Sequence, residues 1–363
     1  MESQNQNLSD AERSADATVV IDNGCTDGEC RDCLESLPLK SQSRYKFIRS
    51  IGFGGMKGVL LVHDNDTDRD VAMAIMPDFR TRPLRDLNRF VREARITAKL
   101  EHPNIVPVYD LGIDNSGSPF FTMKYLRGST LAVILRKLQR NDEETANAFS
   151  QERLLQVMKR VCNAVAFAHS QGICHLDLKP GNIHCGDFGE VQVIDWGLAA
   201  AMKEGVGRGQ INGTPGYMAP EMIIDGEKTP GPEADVYALG AILYAILTGD
   251  SPLAGLPARE ALQRAAEGKI KPPSASGKPM PPGLEAVCMK AMSLNPADRY
   301  PSAIELRKEI VACMAGFPSQ AENASLLRRG LLFLKRHILL VIITVLLFLS
   351  GLLAVLVYYY SKN

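Results

Sequence analysis

His175-Leu-Asp-Leu-Lys-Pro-Gly-Asn182 is the stretch on which the reading of this 363-residue chain turns. Asp195-Trp-Gly197 begins thirteen residues after Asn182, and Ala219-Pro-Glu221 follows. The order and spacing of the three runs carry far more information than any one of them. Upstream, short β-type runs separated by turn residues cover Tyr45 to Ile51, Val59 to His63 and Val71 to Met76, the last two joined through the polar turn Asp64 to Asp70. Leu84 to Leu100 then sets Leu87, Phe90, Val91, Ala94, Thr97, Ala98 and Leu100 near one helical face, ahead of the breaker pair His102-Pro103. Val106 to Leu111 and Phe120 to Leu126 read as two further strands. After Arg127-Gly128 helical periodicity dominates to about Gly316. The chain therefore reads as a small antiparallel sheet with one helix, followed by a larger helical lobe.

Lys plus Arg and Asp plus Glu both number 41, so charge gives no reason to expect nucleic acid as a partner. A 45% apolar composition is ample for a buried core. Residues 1–44 are polar, with nine acids against three bases in the first 40, and read as a disordered acidic tail without a secretory core. The eight Cys lack a short-domain framework and suit reduced thiols in a reducing compartment. Cys25, Cys30 and Cys33 form a C-x4-C-x2-C cluster, but a flexible tail has no tertiary context to fix a metal site, and no metal role is assigned to them. Ile338 to Tyr360 are 23 residues without a charge, enough to cross a bilayer. Arg328, Arg329, Lys335 and Arg336 precede this run and Lys362 alone follows it, so the bias of basic residues puts the N-terminal domain in the cytoplasm. The expected organisation is a tail over 1–44, a folded domain over 45–313, a basic juxtamembrane segment over 314–337, a transmembrane helix over 338–360 and a short end over 361–363.

The three motifs resemble the catalytic loop, the metal-binding triplet and the closing triplet of eukaryotic-like protein kinases. The resemblance covers about residues 45 to 313. It implies an α+β, bilobal fold: an N-lobe over 45–123, a hinge at 124–126 and a C-lobe over 127–313. By that resemblance Asp177 accepts or orients the substrate hydroxyl's proton, Lys179 sits near the transferred phosphate, and Asn182 and Asp195 hold Mg²⁺, whose preference is for oxygen ligands. ATP would lie under Gly52, Phe53 and Gly54, with Val59 and Ala72 as an apolar roof, Met123 as gatekeeper and the backbone of Lys124, Tyr125 and Leu126 binding adenine. Glu221 would pair with Arg299, and Asp235 would brace the catalytic loop. Lys179 and the Gly213-Thr-Pro-Gly-Tyr217 run resemble the Ser/Thr branch, and Phe121-Thr-Met-Lys124 with Ile194-Asp-Trp-Gly197 looks like bacterial membrane-associated members. The implied partner is a protein substrate, and the sequence leaves the oligomeric state open.

Three departures from that pattern matter. Where the family's third strand reads Val-Ala-Ile-Lys, this chain has Val71-Ala72-Met73-Ala74, so the Lys expected to meet Glu93 is missing. Alone, that loss favours a pseudokinase acting as a membrane-tethered scaffold. The Gly-rich loop, Gly52-Phe-Gly54-Gly-Met-Lys57-Gly-Val59, carries Lys57 where its third Gly belongs, an arrangement similar to the with-no-lysine kinases. Lys57 is therefore expected to replace the missing ammonium. Finally, Leu176 stands where many kinases have Arg, and no Ser, Thr or Tyr occurs from Ala199 to Ile211. Activation by phosphorylation of that loop is not expected.

Overall fold

The computed structural model describes residues 19–20, 44–53, 57–201, 212–224 and 230–362. Val19–Val20 (β1) falls within the expected tail, yet it pairs antiparallel with Asn212–Gly213, an extended geometry that β-branched side chains favour. The cysteines Cys25, Cys30 and Cys33 lie outside the described residues, and the five described cysteines are free thiols.

The N-lobe sheet is built from β2 (Tyr45–Phe53), β3 (Gly58–Asp64), β4 (Arg69–Ile75), β5 (Val108–Ile113) and β6 (Pro119–Lys124), in the order β2-β3-β4-β6-β5 with every pair antiparallel. The β3–β4 turn closes because Asp64 accepts hydrogen bonds from the Asp66 amide (3.2 Å) and the Thr67 hydroxyl (2.8 Å). Helix α1 (Leu84–Lys99) buries Leu87, Phe90, Val91, Glu93, Ala94 and Thr97. Ala98, expected on that face, is exposed, because four residues on from Ala94 the buried row passes to Leu100, just beyond the helix end. Ala74 packs with Met76, Leu87, Phe90, Ala94 and Phe121 in the core between sheet and helix. The two strands β5 and β6 begin two residues later and one residue earlier than their sequence signals, a shift typical of element ends.

Below the hinge come β7 (Ser129–Thr130), α2 (Leu131–Gln139), α3 (Glu143–Ala148), α4 (Gln151–Ser170), β8 (Ile173–Cys174), β9 (Ile183–Cys185), β10 (Val191–Val193), β11 (Ala200–Ala201) and β12 (Asn212–Gly213). Helices α5 (Pro220–Ile224), α6 (Pro232–Thr248), α7 (Ala258–Ala266), α8 (Pro282–Ala291) and α9 (Ala303–Met314) complete the C-lobe. Helix α6 is buried from Ala234 through Thr248 on all sides, which marks it as the centre around which α4, α8 and α9 pack. Side-chain caps start four of these helices: Thr130 for α2, Asp142 for α3, Ser150 for α4 and Ser302 for α9. The segment read as a juxtamembrane stretch contains a further helix, α10 (Leu326–Arg336). It is followed by α11 (Ile338–Lys362), which includes the whole uncharged run. Among the described residues α11 is the one helix long and apolar enough to cross a membrane, and none of Val341–Ser361 is buried against the protein.

Arg44, the last residue of the expected tail and directly before β2, is tied down by charge. Arg44 forks onto Asp64 (Nε to Oδ1 2.9 Å, Nη2 to Oδ2 3.0 Å) and reaches Asp110 at 3.0 Å. The Arg44 guanidinium holds the Asp64 carboxyl down at about 2, against an ordinary value of 3.8. Because the folded value is the lower one, the stabilisation is fully present above about pH 4 and fades as the pH falls toward 2. Asp64→Asn should cost on the order of 1–2 kcal/mol at pH 6, Arg44 being partly solvated and screened. Urea unfolding followed by the single Trp, the buried Trp196, should show that difference shrinking at pH 2.5. A midpoint difference that ignores pH would refute the pairing.

Candidate active site

The two lobes meet around a cluster of three charges. Lys57 directly precedes β3, in which Val59 is set opposite Ala74 and Gly58 opposite Ile75, so its side chain leaves the sheet beside the end of β4. From there Lys57 Nζ hydrogen-bonds Glu93 Oε1 on α1 and reaches Asp195 Oδ1 at 2.9 Å. Glu93 keeps 9% of its side chain exposed, Lys57 23% and Asp195 38%. Burial pulls the Lys57 ammonium down, but the charges of Glu93 and Asp195 outweigh it and hold it above its usual range. Burial would raise Asp195, and the Lys57 charge overrides this to leave it at about 2. Glu93, the most deeply buried of the three, is pushed up by desolvation despite Lys57. Gly197 is needed for the approach: a Cβ there would stand 3.0 Å from Glu93 Oε2 and 3.3 Å from Asp195 Oδ1. Arg89, one turn before Glu93, donates to the Gly197 carbonyl at 2.9 Å and ties α1 to the same segment.

The segment from His175 to Asn182 hangs on Asp235 of α6. Its buried carboxylate accepts the backbone N–H groups of His175 (2.8 Å) and Leu176 (2.9 Å) and meets His169 Nε2 at 2.8 Å. Leu176 has φ +65°, a left-handed conformation unfavourable for a residue with a Cβ, and two converging amide bonds hold it there. His175 accepts the Asp177 amide on Nδ1 (3.3 Å) and donates from Nε2 to the Ile194 carbonyl (3.2 Å). Trp196 belongs to the C-lobe core with its ring 4.5 Å from that of His175, and Ile96 of α1 packs against the same core. Asp177 Oδ1 accepts from Thr214 Oγ1 at 3.1 Å, while Lys179 Nζ donates to Thr214 Oγ1 at 2.8 Å and lies 3.1 Å from Asp177 Oδ2. Asn182 Nδ2 donates to the Asp177 carbonyl at 2.8 Å, so its Oδ1 is the atom not engaged by that bond, and its backbone carbonyl accepts from Ile194 beside Asp195.

Around this centre, Met123 pairs with Ala72 in the sheet, and Lys124, Tyr125 and Leu126 are half-buried as the chain leaves β6. Ala72 is buried and Val59 half-buried. Gly52 and Phe53 end β2, while Gly54 lies outside the described residues. After the hinge, β7 pairs with β9, which begins directly after Asn182. Gly128 permits that crossing at φ +111°, since a Cβ would collide with the Cys185 carbonyl. Away from the cleft, buried Arg299 forks onto Glu221 at 2.7 and 2.6 Å. Asp187-Phe188-Gly189 lies in the turn between β9 and β10, with Phe188 90% exposed.

Residues 45–309 match the family model for the protein kinase domain. The chain belongs to the protein kinase family. The chain is similar to bacterial enzymes: it is 35% identical over 315 residues to the serine/threonine-protein kinase PknD of Chlamydia trachomatis, covering 79% of this chain and 33% of that protein. It is 38% identical over 301 residues to PknD of Chlamydia felis, covering 76% and 31%. PknB of Mycobacterium tuberculosis is 35% identical over 292 residues, covering 78% and 45%. The chain thus spans about a third of the length of its chlamydial relatives.

Two contributors escaped the motif reading. Arg89 sits four residues before Glu93 on one helical face, a spacing that could have pointed to it. His169 had no such signal, because its partner Asp235 is 66 residues away in sequence. Asp235→Asn exchanges one of three accepted bonds for a donor. It should lower melting by several degrees, consistent with about 2–3 kcal/mol for a broken buried network, and speed hydrogen exchange at the His175 and Leu176 amides. Unchanged exchange at those two amides would show that the carboxylate does not hold them.

Proposed function

We propose that the chain is an ATP- and Mg²⁺-dependent protein serine/threonine kinase, held at a membrane by α11 with its kinase domain cytoplasmic. The observation that carries this reading is the ion pairing of Lys57 with both Glu93 and Asp195, which puts an ammonium where Ala74 leaves none. The printed names of the bacterial relatives support the serine/threonine class. Four basic residues before α11 against one after the uncharged run support the orientation.

In this reading the backbone of Lys124 to Leu126 takes adenine, Val59 and Ala72 cover it and Met123 bounds the pocket, while Gly52, Phe53 and Gly54 close over the phosphates. Lys57 neutralises phosphate charge and keeps Glu93 in register. Asp177 orients the substrate hydroxyl, and Lys179, already held beside it through Thr214, meets the phosphoryl group as it transfers. Asp195 and the amide oxygen of Asn182 are hard oxygen donors that fit Mg²⁺. Bound there, Mg²⁺ would neutralise charge on the nucleotide's phosphates. Glu221, Arg299 and Asp235 act as scaffold.

Ala74 by itself favours a pseudokinase scaffold, and Lys57 decides between the two readings. Lys57→Met should reduce phosphate transfer to a generic protein acceptor on the order of 100-fold, the scale of losing one preorganised electrostatic contact. It should also shrink the thermal shift given by ATP with Mg²⁺. Full activity in this variant would remove Lys57 from the mechanism; a parent protein with no nucleotide-dependent shift would favour the scaffold.

A further inference from the structure

Helix α10 is amphipathic in a particular way. At 100° per residue, Leu326, Leu327, Leu331, Phe333 and Leu334 share one side with Gly330. Those five side chains are between 46% and 87% exposed. The opposite row, Arg328, Leu332 and Arg336, turns toward the kinase domain. Arg328 Nε bonds Glu322 Oε1 at 2.9 Å, Leu332 is half-buried, and the Arg336 guanidinium lies 3.9 Å over the Phe317 ring. Glu322 is itself held by Ser319, whose hydroxyl donates to the Gly283 carbonyl of α8 at 3.3 Å. Arg329 and Lys335 fall at the two borders between these faces. Both are exposed, and among the described residues neither meets a carboxylate. No Asp or Glu occurs from 323 to 363.

We infer that α10 lies along the membrane surface beside the entry of α11, its leucine and phenylalanine face in the acyl boundary and Arg329 and Lys335 on the headgroups of anionic phospholipids. The inference rests on α11 crossing that membrane. Helix α10 ends at Arg336, His337 leaves helical values with φ −110° and ψ 30°, and α11 starts at the next residue, so the bilayer is the apolar phase nearest the exposed face. An apolar face with basic residues at its borders and no acid matches a negatively charged interface. The tethers through Arg328 and Arg336 make the contact rigid, so the bound helix sets how the C-lobe is presented above the lipid.

Hydrogen exchange of the full chain in nanodiscs tests this, with phosphatidylcholine alone compared with phosphatidylcholine containing phosphatidylglycerol. Amides of 327–336 should exchange more slowly with phosphatidylglycerol, by about fivefold for each basic residue engaged, and high salt should erase the difference. Arg329→Glu with Lys335→Glu should abolish the lipid-charge dependence while leaving kinase-domain exchange unchanged. Equal exchange in both lipids, with 341–361 protected, would overturn the surface helix alone. Protection that follows the number of chains per disc would overturn it in favour of a second copy of the chain. Free exchange over 341–361 would overturn the membrane reading and this one with it.

Discussion

Two carboxylates converge where the lobes meet, Glu93 from the N-lobe helix and Asp195 from the C-lobe, and a cation must lie between them. Without one, two like charges at a half-buried junction would repel, and the deeper would have to take up a proton. Lys57 satisfies both at once. It can do so because β3 runs antiparallel to β4 with Val59 against Ala74, so a long side chain just before β3 starts close to position 74 and reaches the same two carboxylates. The small Ala74 side chain is equally part of the arrangement, since it is fully buried against Phe90 and Phe121. A single salt-bridged lysine thereby couples the sheet, α1 and the Asp195 segment.

The C-lobe supplies the rigid half of the site. Helix α6 is buried all round, so a carboxylate on it is fixed by packing before it forms any hydrogen bond. Asp235 uses that position to hold two backbone amides in an otherwise costly left-handed bend, and Asp195 is held in a similar bend at φ +64°. Arg299, fully enclosed, is acceptable there because Glu221 and three backbone carbonyls satisfy its fork. The strained segments are thus paid for by buried groups whose own polar needs are met.

The activation region shows the same economy of charge. Leu176 is buried in the C-lobe core where the family pattern places an arginine, and the segment Ala199 to Ile211 has no hydroxyl that could carry a phosphate. An apolar residue at 176 and a segment without a hydroxyl to phosphorylate are mutually consistent, because a phosphate there would meet no arginine at that position. Asp177 is held by Thr214 and Lys179 through three short contacts.

Alternation and helical period made the N-lobe strands, α1 and the uncharged run of α11 legible in one dimension, because each buries its apolar residues on a face set by local geometry. Motif spacing pointed to Asp177, Asn182, Asp195 and Glu221 as candidates for a similar reason: each run is short and its residues are neighbours in sequence. Ala98 escaped, since only the C-lobe beneath α1 decides where its buried row ends. His169 escaped as well, its bond to Asp235 joining residues far apart in the chain. What the amino-acid sequence alone determined was the order of elements and the family to which the motifs point. Whether Lys57 reaches Glu93 and Asp195, and which side of α10 is left bare, was decided only in three dimensions, because strand register and lobe packing set distances that no local pattern encodes.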